Sequence, residues 1–201
     1  GSVPFLDVAI VFTMWCCLST PLVFLGAYYG YKAESLSYPT VTSTIARAIP
    51  ETGLFLNPYL AMSLAGMIPF AAAYVELFFI MTSLWMDQYY YVFGFTLIVY
   101  LILLLTCAEV TVLLCYYQLC AENHRWWWFS FFTSGSTAVY TFIYSLFWFQ
   151  SLEPSKVFAT YMLYFGYMAL ICFGMFLTCG AVGTLSCFWF TRRIFGSIKV
   201  D

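Results

Sequence analysis

Five stretches of the chain carry no formal charge, and each is long enough to cross a bilayer as a helix. They cover 8–31, 52–75, 88–108, 126–152 and 157–191, and the shortest has 21 residues. Spanning the hydrocarbon layer takes roughly 20 apolar residues at about 1.5 Å rise each. Only sixteen of the 201 residues are charged, seven Lys and Arg against nine Asp and Glu. A soluble domain carries about 25% charged residues, and this chain has 8%. That scarcity excludes a soluble enzyme and a disordered tail, and the net charge of −2 excludes a basic nucleic-acid binder.

Allowing one interior Glu in the second and third stretches, the pattern predicts an all-α, polytopic membrane bundle. Its five transmembrane helices fall at about 4–29, 58–86, 89–119, 126–149 and 158–190, in a single membrane domain covering 1–201. A β-barrel would show short segments of alternating polarity, and Leu101-Ile102-Leu103-Leu104-Leu105 does not alternate. The last helix exceeds what a bilayer needs, so it is expected to tilt or project beyond it. Pro21 and Pro69 fall inside the first two spans and are expected to kink them.

Orientation follows from the basic residues. Lys32, Arg47, Arg125, Arg192, Arg193 and Lys199 share one side and Lys156 alone holds the other, so the C-terminus is expected to be cytosolic. Aromatic belts at Trp85 and Tyr89-Tyr90-Tyr91, and at Trp126-Trp127-Trp128, agree with these boundaries.

Small residues suggest which helices pack. Ser130, Ser134 and Ala138 recur every four residues in the fourth helix, beside a stripe of Thr133, Thr137 and Thr141. Gly166, Gly174, Gly180 and Gly183 leave little side chain on one side of the fifth. Such faces let backbones approach closely where lipid gives no hydrophobic drive to associate. They are expected to bury helices four and five in a bundle, with a substrate groove as the rival reading. The eight cysteines lack metal or redox spacing and read as small packing residues; only Cys120, at a helix end, is placed for acylation.

The costly residues are Glu76 and Glu109, since a carboxylate at the bilayer centre costs on the order of 2.5–3.5 kcal/mol on insertion scales. Glu76 lies roughly 14 Å from Trp85 and Glu109 roughly 30 Å from Tyr89 at helical rise, so they differ in depth and do not form a dyad. Two readings stand. They are stations on a polar path for protons or cations, or they are protonated carboxyls bonded to neighbours such as Thr106, Thr111, Tyr74 or backbone carbonyls. Catalysis is not expected. The single His124 is remote from both glutamates and from Ser134, Asp7 and Asp87 both lie near the luminal boundary and not within the membrane, and no glycine loop cradles phosphate. No cofactor and no metal site are expected.

Particular segments carry a resemblance. They are Gly1-Ser2-Val3-Pro4-Phe5, Ile68-Pro69-Phe70 followed by Val75-Glu76-Leu77-Phe78-Phe79-Ile80, and Gln88-Tyr89-Tyr90-Tyr91-Val92-Phe93-Gly94-Phe95. Further along come Thr106-Cys107-Ala108-Glu109-Val110, Tyr117-Gln118-Leu119-Cys120-Ala121-Glu122, Arg125-Trp126-Trp127-Trp128 and Thr133-Ser134-Gly135-Ser136. Leu163-Tyr164-Phe165-Gly166-Tyr167 and Cys187-Phe188-Trp189-Phe190-Thr191-Arg192 close the series. In order and spacing these resemble the transmembrane-nine superfamily, the nonaspanins, along the whole chain.

The resemblance implies the last five spans of a nine-span protein, without its luminal N-terminal domain and first four spans, and with a cytosolic C-terminus. The loop Pro39–Glu51 departs from the family's basic linker, keeping only Arg47. The terminal Ile198-Lys199-Val200-Asp201 resembles the family's K-x-D/E signal. Lys199 and Asp201 are then expected to bind COPI coat proteins and hold the protein in the Golgi. The implied function is protein sorting and trafficking in Golgi and endosomal membranes. Its partners would be membrane lipids, coat proteins and client transmembrane segments delivered towards the surface, with no nucleic acid and the oligomeric state left open. A proton- or cation-coupled transporter or channel using Glu76 and Glu109 is the alternative.

Overall fold

The computed structural model describes residues 5–41, 44–45, 48–50, 58–85, 89–151 and 158–198. The side chains of residues 58, 76–77, 79–85, 89–93 and 151 lie outside that description, which leaves out Glu76 and the first aromatic belt. Five α-helices follow in order: α1 Phe5–Lys32, α2 Pro58–Trp85, α3 Tyr89–Cys120, α4 Trp126–Ser151 and α5 Phe158–Ser197. Among the described residues there is no strand. The architecture is an all-helical membrane bundle.

Helix positions follow the charge-free runs, because an uninterrupted apolar backbone in lipid can satisfy its amides only within the helix. The fifth helix differs most from expectation, running seven residues past 190 to Ser197. Arg192 and Arg193 end the apolar run but not the helix, since charge stops lipid burial and not backbone hydrogen bonding. Its 40 residues make a rod of about 60 Å, twice the thickness of the hydrocarbon layer. Helices α1 and α2 continue unbroken through Pro21 and Pro69.

Two compact units divide the chain, residues 1–41 and 42–201. The first contains α1, which has no buried residue. In the second, α4 is the hub: it packs against α2, α3 and, most extensively, α5, while α3 also packs on α2 and α5.

The second unit is built inside out relative to a soluble protein. Its interior holds Thr111, Ser130, Thr133, Ser134, Thr137, Thr141, Ser145 and Thr191, with Cys107, Cys115, Cys179 and Cys187 at zero exposure. Its exterior is Leu, Ile, Phe, Trp and Tyr, such as Leu97, Ile102, Leu105, Phe147, Leu170 and Trp189. Val99, Leu103, Phe129, Phe149 and Met175 are buried as well. Lipid tails are as apolar as leucine, however, so large apolar side chains gain little by turning inward and close backbone packing shapes the interior.

Three helical segments, Phe5–Lys32, Gly94–Cys120 and Phe158–Ser197, are apolar and long enough to cross a bilayer by composition alone. Helix α4 falls short on that measure because its hydroxyls lower its hydropathy. Those hydroxyls face protein, while Trp128, Phe132, Val139, Ile143 and Phe147 face outward.

The turn joining α3 to α4 explains their antiparallel packing. Asn123 N–H donates to Gln118 O at 3.1 Å and Glu122 N–H to Leu119 O at 3.1 Å, the paired bonds of a Schellman cap. Such a cap needs a left-handed residue, and Glu122 supplies it with φ of 60°. Gln118 Nε2 donates to Arg125 O at 3.0 Å and Asn123 Oδ1 accepts from Arg125 N–H at 3.0 Å, closing the turn within five residues.

Candidate functional site

Two features gather the residues singled out in the sequence: a hydroxyl-lined seam around α4, and an open groove between α3 and α5.

Most hydroxyls of the seam bond to their own helix. Ser130 donates to Trp126 O at 2.7 Å, Thr141 to Thr137 O at 3.1 Å and Thr191 to Cys187 O at 2.7 Å. A side chain satisfied this way by the carbonyl one turn back presents only a small apolar surface to its neighbour. A few bonds cross between helices and fix register. Ser134 Oγ donates to Cys179 O at 2.7 Å, Ser136 Oγ to Met62 O at 3.0 Å, Tyr140 OH to Ser63 O at 2.7 Å and Tyr164 OH to Ser145 O at 2.9 Å. The Tyr100 and Thr178 hydroxyls also pair across α3 and α5.

Glycines show how close the helices come. A β-carbon on Gly183 would stand 2.5 Å from Ser134 Cβ and 3.3 Å from Ser130 O, and one on Gly180 would stand 2.6 Å from the Phe131 ring. Ser130, Ser134, Ala138, Gly180 and Gly183 are all buried, and Gly180 and Gly183 on α5 meet the Ser130–Ser134 face of α4. Gly174 is separate: it is exposed, nothing lies within 4 Å of a β-carbon there, and the same holds for Gly166. One glycine face was therefore expected along α5, but only its second half lies in the seam. The cause is the 3.6-residue period, since Gly174 and Gly183 are nine residues apart, about two and a half turns, and so lie on opposite faces of α5.

The α2 side of the seam had no counterpart in the sequence reading. Ala65, Gly66, Pro69 and Ala73 are buried in one row, and a β-carbon on Gly66 would come within 2.7 Å of both Ser136 C and Thr137 N. Spacings of three and four residues between small side chains were the available signal. The close contact with α4 explains why a proline is tolerated at 69. The Ala65 carbonyl that it leaves without an intrahelical donor belongs to a residue buried away from lipid.

Glu109 sits elsewhere. It is exposed on α3 and lines a groove of about 750 Å³ with Ala108, Val112, Leu113 and Tyr116, opposite Leu185, Ser186, Trp189 and Phe190 of α5. The threonines expected to hold its carboxyl are committed elsewhere. Thr106 Oγ1 donates to Ile102 O at 2.6 Å and Thr111 Oγ1 to Cys107 O at 2.5 Å. Ser186 on the facing wall donates to Val182 O at 2.8 Å. Glu76 lies on α2, its side chain outside the described residues, as are Arg47, Lys199 and Asp201. Near the same end, Arg192 stacks over the Phe188 ring at 5.6 Å and lines a smaller cleft with Trp189 and Arg193. Among the described residues, no three His, Cys, Asp or Glu gather to hold a metal.

With the geometry in place, comparison decides the family. Residues 1–157 match the family model described as Endomembrane protein 70. The chain belongs to that family. Along its whole length it is 46% identical to Transmembrane 9 superfamily member 9 of Arabidopsis thaliana, covering 31% of that protein. It is 42% identical to member 2 and 38% to member 4 of Homo sapiens, covering 30% and 31% of them. The chain thus spans about a third of the length of these relatives, matching their C-terminal part. No solved structure matches it. An endomembrane protein of this family is integral to the membrane, in line with the inside-out bundle.

Proposed function

We propose that the chain is the C-terminal membrane portion of a Golgi and endosomal sorting protein that binds client transmembrane segments and helps deliver them to the surface. The observation that carries this reading is the whole-length identity to Transmembrane 9 superfamily proteins, joined to a family named for endomembranes. The interior fits an adaptor: its buried polar residues are Gln118 and a set of Ser and Thr, of which Ser130 and Ser134 bond to backbone and Thr137 pairs with Cys107.

Small-residue faces carry the proposal less than the sequence alone suggested. Ser130, Ser134, Ala138, Gly180 and Gly183 are occupied by this unit's own helices. A client must therefore use an outward surface. Lys199 and Asp201 are proposed as the coat-protein signal that returns the protein to the Golgi. Transport receives less support, because Glu109 opens to the outside of the unit and not to its packed interior.

The test is cellular. With Lys199→Ser and Asp201→Ser together, the full-length protein should leave the Golgi; unchanged Golgi staining would sink the proposed address. Client proteins should co-purify with the wild type and lose surface delivery when it is depleted. Glutamate-dependent cation flux in proteoliposomes, with no effect on client delivery, would favour the transporter instead.

A further inference from the structure

Glu109 is an exposed acidic side chain on α3, and the described residues of the groove around it provide no partner. The groove runs along α3 from Ala108 to Tyr116, eight residues or about 12 Å, which is the length of two helical turns. Its walls are apolar apart from Glu109, Ser186, the Tyr116 hydroxyl and the Trp189 indole. Ser186 is bonded to its own helix. Among the described residues, no hydrogen bond or ion pair is formed by the Glu109 carboxyl.

Depth narrows what can satisfy it. Helices α3 and α5 run parallel here, with Cys107 beside Cys179 and Cys115 beside Cys187. The nearer interface is marked on both by Tyr116, Trp189 and the Arg192-Arg193 pair. Glu109 is seven residues from Tyr116, so it lies roughly 10 Å further into the membrane. A lipid amine stays at headgroup level and does not reach that depth. A lysine or arginine carried on a helix does, because its position along the helix sets its depth.

Resting on the sorting reading and deepening it, we propose that the α3–α5 groove docks a client transmembrane helix bearing a lysine or arginine level with Glu109. The client's cation and the Glu109 carboxylate form an ion pair shielded from lipid by Leu113, Leu185 and Trp189. The pair removes from the hydrocarbon two charges that are each costly alone. Two turns of the client helix fill the groove, so recognition is by charge and depth and not by a long sequence motif. A client without an intramembrane cation would be ignored at this surface.

The experiment reconstitutes the full-length protein in bilayer nanodiscs of phosphatidylcholine and measures association by energy transfer from a fluorophore on Cys120, with the other accessible cysteines, Cys16 and Cys17 among them, replaced by Ser. The probes are synthetic Leu-Ala transmembrane peptides carrying one Lys, one Glu or only Ala at the Glu109 depth. The Lys peptide should bind at least about tenfold tighter than the Ala peptide, equivalent to about 1.4 kcal/mol. Glu109→Gln should erase that preference, and Glu109→Lys should transfer it to the Glu peptide, which also shows that the variants fold. Moving the Lys by two helical turns should cost most of the gain.

Equal binding of Lys and Ala peptides, or a preference that survives Glu109→Gln, overturns the proposal. So does a tightly held phospholipid that co-purifies with the wild type and is expelled by Leu113→Trp without any peptide effect. Failure here is separable from failure of the sorting reading. Client co-purification undiminished by Glu109→Gln would leave sorting intact and reject this groove. A Lys preference without any cellular client would do the reverse.

Discussion

Helices α1 and α4 are nearly equal in length, 28 and 26 residues, yet they stand at opposite extremes of burial. Helix α1 is apolar along its length and buries nothing. Helix α4 is richer in hydroxyls and buries Ser130, Thr133, Ser134, Thr137, Thr141 and Ser145. In water the ranking would be reversed, because burial there follows apolar area. In lipid the apolar side chain is already at home, and only close packing and hydrogen bonding reward contact. Hydropathy therefore says which surface meets lipid, and small polar residues say which surface meets protein.

The largest expected contrast is in thiol access. Cys107, Cys115, Cys179 and Cys187 have zero exposure, whereas Cys17 of α1 is exposed. In mild detergent a small maleimide should modify Cys17 at least about tenfold faster than any of the four, since those need opening of the seam. Comparable rates would mean that the second unit is not packed as described.

Backbone approach gives the next effect. Gly66→Ala drives a β-carbon against the α4 backbone at Ser136 and Thr137, and Gly183→Ala drives one against Ser134. Each should cost about 1–3 kcal/mol, the usual range for overpacking. The readout is the temperature at which the buried thiols become reactive. Gly26→Ala on α1 and Gly174→Ala on α5 meet nothing within 4 Å and should change stability by no more than about 0.5 kcal/mol. Equal effects at Gly183 and Gly174 would erase the distinction between the two halves of α5.

Hydrogen bonds between helices come third. Ser134→Ala removes the bond to Cys179 O and should cost about 0.6–1 kcal/mol, as interhelical bonds in membranes typically do. Thr13→Ala on α1 removes only a bond to Ala9 O within its own helix, and no measurable loss is expected. The smallest effect belongs to the α3–α4 turn. Glu122→Gly relieves a left-handed residue and should gain about 0.5 kcal/mol, offset by the side-chain contact that it gives up.

Much of the fold was legible because few charges leave few places to interrupt a span. The five runs between them anticipated helices now bounded at Lys32, Pro58, Cys120, Trp126 and Phe158 to within about three residues. What was not legible was the partner of each face. The stripe Ser130-Ser134-Ala138 indicated a packing face on α4, but the matching row Ala65-Gly66-Pro69-Ala73 on α2 looked like an ordinary apolar segment interrupted by a proline. Tyr100, Tyr140 and Tyr164, whose hydroxyls tie helices together, were indistinguishable from interfacial tyrosines without their depth and rotation. Glu109 was visible as a costly residue, while its outward direction depended on how α3 rotates when Cys107, Thr111 and Cys115 turn inward.

The sequence by itself determined that this is a helical membrane protein, roughly where each helix lies, and which family it belongs to. These follow from the spacing of charges and from motifs read in order, neither of which requires knowing a neighbour. Only the tertiary structure decided that Gly183 is seam and Gly174 is surface, and that Glu109 lines an open groove. A helix has many faces of similar composition, and lipid does not choose among them. The choice is made by which backbones can approach closely enough for Ser134 to reach Cys179 O, a condition set jointly by α4 and α5.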